Sequence, residues 1–208
     1  MLYGIEGILN GKLFGNGEGG SGGDSGGGGG NIDSLIDRSI TEVNTNRSTI
    51  GAYVFYDCRA LTVVNIPNAT EIMGNAFNMC AALETIVLPN VSKVSSSAFS
   101  TCSKLRLVDF HVTTTIGANA FTSDTKLSAL ILRGNEVSTL INTSALKGSS
   151  SYQNTMIAKG TGYIYVPSAL VEDYKVASNW STFAAQFRAL EDYTVDGTIS
   201  GELDESKI

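Results

Sequence analysis

Histidine occurs once in this chain, at position 111, and no run of basic residues occurs anywhere. Each scarcity removes a class of function. A nucleophile–histidine–acid relay would have to be built on His111 alone, with its two partners beside it. Formal net charge is −6 and the pI is about 4.8. Such a surface, without a basic patch, offers nothing to nucleic acid or to anionic lipid. No apolar stretch approaches the roughly 18 residues that a membrane helix needs, so no membrane insertion is expected. The opening segment, MLYGIEGILNGKLF, lacks a charged leader, a continuous apolar core and a cleavage site, and is not read as a secretory signal. Only three cysteines are present, with no Cys-x-x-Cys pair, which leaves a metal short of ligands. There is no P-loop. The glycines Gly15, Gly17 and Gly20 match a dinucleotide fingerprint only formally, because no helix follows to meet a phosphate. The chain is read as a non-enzyme without metal or cofactor.

What is present is one phrase repeated four times. Residues 50–66 read IGAYVFYDCRALTVVNI, 72–88 IMGNAFNMCAALETIVL, 94–110 VSSSAFSTCSKLRLVDF and 116–132 IGANAFTSDTKLSALIL. Phe55, Phe77, Phe99 and Phe121 are 22 residues apart, as are Leu61, Leu83, Leu105 and Leu127. Cys58, Cys80 and Cys102 form a third column, with Asp124 in its fourth place. A fixed period in this range is the mark of a solenoid or array. In each unit a strand such as Thr85–Leu88 is expected to turn Ile86 and Leu88 inward and Thr85 and Val87 outward. A compact turn, with room for one helical turn, carries the Phe. No unit can bury its own apolar residues, whereas stacked coils can. The cysteine column is expected to be a ladder of buried free thiols rather than disulfides, since neighbouring side chains would run parallel.

Ile-Gly-x-x-Ala-Phe, then Cys-x-x-Leu, then a β-rich run ending in Ile-Pro resembles the BspA-like, surface-antigen type of leucine-rich repeat. The resemblance covers roughly residues 34–190. It implies an α/β repeat fold: a leucine-rich-repeat solenoid of 22-residue coils with a parallel sheet on one face and a C-terminal helical cap. It also implies binding or adhesion rather than catalysis. The sequence departs from the pattern at Asp124, in place of Cys, and at His111 and Arg133, in place of Pro67 and Pro89. His111 is therefore expected in a solvent-facing turn.

Four segments follow. Residues 1–14 are read as a docking segment, with two short strands around a type I′ turn at Asn10-Gly11. Residues 15–30, GNGEGGSGGDSGGGGG, are read as a linker reaching roughly 20–24 Å as a Gaussian chain. Residues 31–166 are the solenoid, beginning with a helical turn at Asp33–Ile36 and a partial unit, and ending with a stretched one that closes on the strand Tyr163–Val166. Residues 167–208 are the cap and tail. There Ser168 is expected to N-cap a helix over 169–178, followed by a second helix over 181–190 and a strand pair around Asp196-Gly197. Asn46, Asn68 and Asn90 read as sequons, but turn-forming asparagine is the expectation.

Function is then expected on the surface. The outward strand positions make two rows: Val63, Thr85, Leu107, Ala129, and Asn65, Val87, Asp109, Ile131. Several apolar members on one exposed face suggest a contact patch. The expected partner is a host-surface protein or glycan, with residues 1–14 docked on a virion protein of a bacterial virus. In that reading the protein is a fibre or decoration component located on the virion. The alternatives are a bacterial cell-surface or secreted adhesin, and a self-associating assembly module; a homo-oligomer is left open.

Overall fold

Identical apolar columns can be buried only against one another, and the chain accordingly winds as a solenoid. The computed structural model describes residues 37–193 throughout, and beyond them the backbone of four two-residue strands, 8–9, 12–13, 194–195 and 198–199. Each coil contributes one strand to a wide parallel sheet and a two-residue strand to a narrow parallel sheet. The wide sheet runs Thr85–Leu88, Leu107–Phe110, Ala129–Leu132, Tyr163–Val166, Phe187–Ala189. Glu42–Asn44 and Val63–Asn65 form a further parallel pair. The narrow sheet runs Thr49–Ile50, Glu71–Ile72, Lys93–Val94, Thr115–Ile116, Thr139–Leu140. Ile86 and Leu88 are buried while Thr85 is exposed and Val87 half-buried, as alternation along a strand requires.

The interior is built from the repeated columns. The rings of Phe55, Phe77, Phe99 and Phe121 stack at centroid distances of 5.1, 5.3 and 5.6 Å. Leu61, Leu83, Leu105 and Leu127 are fully buried beside them. The three cysteines are free and buried. Cys80 Sγ donates to the Phe55 carbonyl at 3.3 Å and Cys102 Sγ to that of Phe77 at 3.2 Å. Loss of water raises all three thiols, Cys58 to about 11, so they persist as inert space-filling groups.

The turn around each Phe is not helical. Two columns of non-glycine residues, Tyr53, Asn75, Ser97, Asn119 and Asp57, Met79, Thr101, Ser123, adopt left-handed backbone with φ between 58° and 68°. Such residues cost roughly 1–2 kcal/mol each in that region. The compensation is a hydrogen-bond ladder between coils. The N–H groups of Asn75, Phe77 and Met79 donate to the carbonyls of Ser96, Ala98 and Ser100, and the coils on either side do the same. A right-handed turn would point those donors elsewhere.

Both ends of the stack are closed. The last unit spaces its wide strands 34 residues apart (Ala129 pairs with Tyr163) rather than 22. Its extra residues finish the ladder: Phe121 N–H donates to the Ala145 carbonyl and Ser123 N–H to that of Gln153. Tyr174, Trp180 and Phe187 then cover the core, with ring centroids 5.2–5.9 Å apart. Side chains also satisfy the final narrow strand. Ser138 N–H donates to Tyr174 Oη at 2.8 Å, Trp180 Nε1 donates to the Ser138 carbonyl at 2.6 Å, and Asn179 Nδ2 donates to the Leu140 carbonyl at 2.8 Å. At the other end, Ile8–Leu9 pairs antiparallel with Lys12–Leu13, and Ile8 pairs with Asn44. The Asn10-Gly11 turn, the glycine tract and the Asp33–Ile36 turn lie outside the described residues.

The cap differs from its sequence reading. Its α-helix covers only Val171–Val176, preceded by a 3-10 turn at Ser168–Leu170. Ser168 is not the N-cap; its hydroxyl donates to Glu191 Oε1 at 3.4 Å. The expected second helix is a kinked 3-10 segment, Trp180–Gln186, and Phe187–Ala189 is a strand paired with Tyr163–Val166. The open edge of the sheet captures a segment whose Trp180, Phe183 and Phe187 spacing also suits a helix. Thr194–Val195 and Thr198–Ile199 do pair antiparallel.

Two outcomes test this core. Phe77→Ala should cost about 3–5 kcal/mol, lowering the melting temperature by roughly 6–20 °C; near-wild-type melting would refute the stacked register. Asp124 is fully buried in the cysteine column, with Oδ1 accepting from Cys102 N–H at 2.7 Å and Oδ2 unpartnered. Burial raises its pKa well above the ordinary 3.8. Below that value both folded and unfolded chains hold the proton. Above it the unfolded chain releases the proton first, so the fold loses stability as pH rises. Asp124→Asn keeps the acceptor and removes the titration. Its stability advantage over wild type should grow from pH 4 to pH 7 in urea melts, and parallel pH profiles would contradict a protonated Asp124.

Candidate binding face

The wide sheet turns alternate side chains outward and holds the expected rows from Thr85 and Val87 onward, whereas their first members, Val63 and Asn65, stand on the separate strand pair. Val63, Thr85 and Asn65 are exposed, and Val87, Leu107 and Ala129 are half-buried. Register extends the rows by one strand beyond the reading from sequence. Tyr163 continues the first row and Tyr165 the second, since Ala129 pairs with Tyr163 and Ile131 with Tyr165. The 34-residue spacing hid this extension, because it breaks the period by which the other members are found.

Two of the eight positions are not available on this face. Asp109 and Ile131 are fully buried, and Ile131 stands apart from the solenoid core. The C-terminal segment covers them. The Tyr193 ring packs edge-on against Tyr165 at 4.8 Å, and its hydroxyl feels the charges of Asp109, Arg106 and Arg133. Tyr193 thus stands against Tyr165, on the strand next to Ile131, and near the Asp109–Arg133 pair. Lost hydration raises the pKa of both Tyr193 and Tyr165.

Asp109 does not lie bare beneath this cover. Arg133 Nε donates to its two carboxylate oxygens at 2.9 and 3.2 Å, and Arg133 Nη2 donates at 3.1 Å. His111 Nε2 sits 3.7 Å from Asp109 Oδ1. His111 is therefore only partly solvent-facing, with its side chain 34% exposed and its Nε2 buried without a hydrogen-bond partner. His111 and Arg133 are the residues that replace proline in the repeat. The interruption of the motif is one ion-paired cluster.

What remains open is a strip of row one, Val63 to Tyr163, walled on one side by Tyr193. Arg106 stands beside Leu107, its side chain 59% exposed, with Glu84 at 3.8 Å. Arg188 stacks on Tyr163, its guanidinium carbon 4.4 Å from the ring centroid. These groups can bind but offer no reacting constellation. Among the described residues no group of three His, Cys, Asp or Glu could hold a metal, and no helix is long and apolar enough to cross a membrane.

Arg133→Ala should destabilise the chain by about 3–5 kcal/mol, because it strands a buried carboxylate. Addition of Asp109→Val, the residue type of the unit before, should recover most of the loss. Chemical melts of the two variants check this, and equal damage in both would dismiss the ion pair as the reason.

Comparison with known proteins agrees with the repeat. A profile of the BspA type leucine rich repeat region matches residues 38–166 as six copies. That span includes the partial first unit and the stretched last one. Among solved structures, a leucine-rich repeat protein from Bacteroides ovatus is similar at 18% identity and a TM-score of 0.36, over 62% of this chain. The chain spans 40% of that protein's length. No curated protein matches the chain. With well over half of its residues in the matched span, the chain belongs to the BspA-type leucine-rich repeat family.

Proposed function

We propose that the chain is a contact module whose wide sheet face binds a molecule on a host cell surface, and that a bacterial-virus particle displays it there. The coarser part rests on family: a repeat domain of this type suggests binding or adhesion, and the family is in general a non-enzymatic scaffold. The observation that carries the site is the outer row. On the wide sheet Tyr163 is 37% exposed, with Leu107 and Val87 half-buried in the same rows. Exposed apolar groups grouped in one row are the usual mark of a contact surface.

Display on a particle is supported by the division of the chain. The first 14 residues are too few for a core of their own, and a glycine-rich tract separates them from a self-contained solenoid. A tract of that composition lets the segment leave the first coil, where Ile8 pairs with Asn44, and attach to a particle instead. The same division suits a bacterial adhesin held at its own cell surface, and the genes beside this one, capsid and tail or export and anchor, would separate the two.

Val87→Lys with Leu107→Lys places two charges on the half-buried part of the face. The double variant should fold and remain on the particle, yet lose at least about tenfold in host-cell binding. Deletion of residues 1–14 should do the reverse, freeing a domain that still binds cells. If the double variant binds cells as wild type does, the sheet face is not the site.

A further inference from the structure

The open strip of row one is not uniform. In register across the sheet stand Leu107, Ala129 and Tyr163. Strands lie about 4.8 Å apart, so Leu107 and Tyr163 rise from the sheet roughly 10 Å apart with only a methyl group between them. Two side-chain thicknesses take up part of that gap, and what is left admits one ring standing on edge. Inside the solenoid the same spacing is filled by a Phe from every coil, stacked at 5.1–5.6 Å. On the outside, the middle place carries only the half-buried methyl of Ala129.

The borders of this gap are polar in a particular way. One wall is an aromatic ring, Tyr163, with Arg188 against it at 4.4 Å. The far side is Tyr193, whose hydroxyl lies within the field of Arg106. The near side carries Arg106 and Ser128, the latter donating to the Arg106 carbonyl at 3.3 Å. Arg106 is mostly exposed, and its ion-pair contact with Glu84 is a long 3.8 Å between two mobile, solvated side chains. Such a pair is worth little and yields to a better carboxylate.

From this arrangement, resting on the sheet face as the site, we propose that the slot over Ala129 takes one acidic sugar ring of a surface polysaccharide. The ring lies between Leu107 and Tyr163 with its carboxylate on Arg106. An aromatic wall and an apolar wall accept the C–H faces of a pyranose. Hydroxyls at the rim accept and donate to its ring substituents. The guanidinium supplies a bidentate match to a carboxylate that a neutral sugar lacks. Against the chain's overall −6, the cations Arg106 and Arg188 at the borders of the slot make it a place where an anion is selected rather than merely attracted.

The test uses the full chain and a panel of free sugars: galacturonate, glucuronate and N-acetylneuraminate against galactose and glucose. Saturation-transfer NMR and calorimetry read binding. At least one acid should bind about tenfold tighter than the neutral sugars. Ala129→Tyr fills the slot with the protein's own ring and should abolish that signal while the melting curve stays as in wild type. Tyr163→Ala should weaken binding in the same way without filling anything. Arg106→Gln should bring acid and neutral sugars level. Silence from all three acids, or full binding by Ala129→Tyr, overturns the slot. The face reading is judged separately. If Val87→Lys with Leu107→Lys loses cells while Ala129→Tyr keeps them, the face stands and the slot falls. If neither loses cells, the face reading falls as well.

Discussion

Everything in this molecule depends on register between coils, and register is held in the turn rather than in the sheets. The narrow strands are two residues long and the wide ones at most four. What repeats is the ladder in which three N–H groups per coil, those of the two left-handed residues and of the Phe between them, reach the next coil's carbonyls, with the Ser144 hydroxyl taking a carbonyl's place for Asn119 in the last coil. A left-handed non-glycine residue is unfavourable on its own. Eight of them persist because each one aims a donor that would otherwise be buried without a partner, a larger cost. The Phe stack then falls at ring-contact spacing because the backbone that carries it is fixed. Sheets, cysteine column and end caps all inherit this register.

Departures from the repeat show how tightly the register binds the sequence. His111 and Arg133 look like unrelated lapses in the motif, yet both meet the row residue Asp109 in one place. A buried carboxylate requires a cation, and Arg133, just past the strand one coil further on, supplies it. Asp124 is a different case. It takes the place of a thiol and keeps a contact to Cys102 N–H, while its second oxygen is left without a partner. The first departure is compensated within the fold, and in the second burial pushes the carboxyl's pKa up, toward its neutral form.

Much of the fold was legible because a solenoid writes its geometry into the chain as a period. The four Phe and four Leu columns gave the coils, the core and the outward rows directly. The limits of that reading are also physical. Periodicity says which residues share a column, but not what a non-repeating segment does with an exposed edge. Phe187 was therefore read as helical, though the unpaired edge of Tyr163–Val166 takes it as a strand. For the same reason the cover over Ile131 was invisible: Tyr193 comes from outside the repeat, and nothing in the columns marks Asp109 as buried. Tyr163 was missed as a face residue only because an insertion moved it 34 positions from Ala129 instead of 22.

The coils provide their own comparison between what the fold requires and what it leaves open. In the inner columns the same residue returns each time, Phe at four of four places and Leu at four of four. In the first outer row the five successive residues are Val63, Thr85, Leu107, Ala129 and Tyr163, all different. The inner identity follows from packing, because a stack admits one shape. Stability cannot account for the outer variety, since those side chains add little to the core. β-propensity alone would favour Val, Thr and Tyr but would not place alanine between leucine and tyrosine. A row released from the core can be shaped by what touches it, and the smallest side chain in that row stands beside the largest.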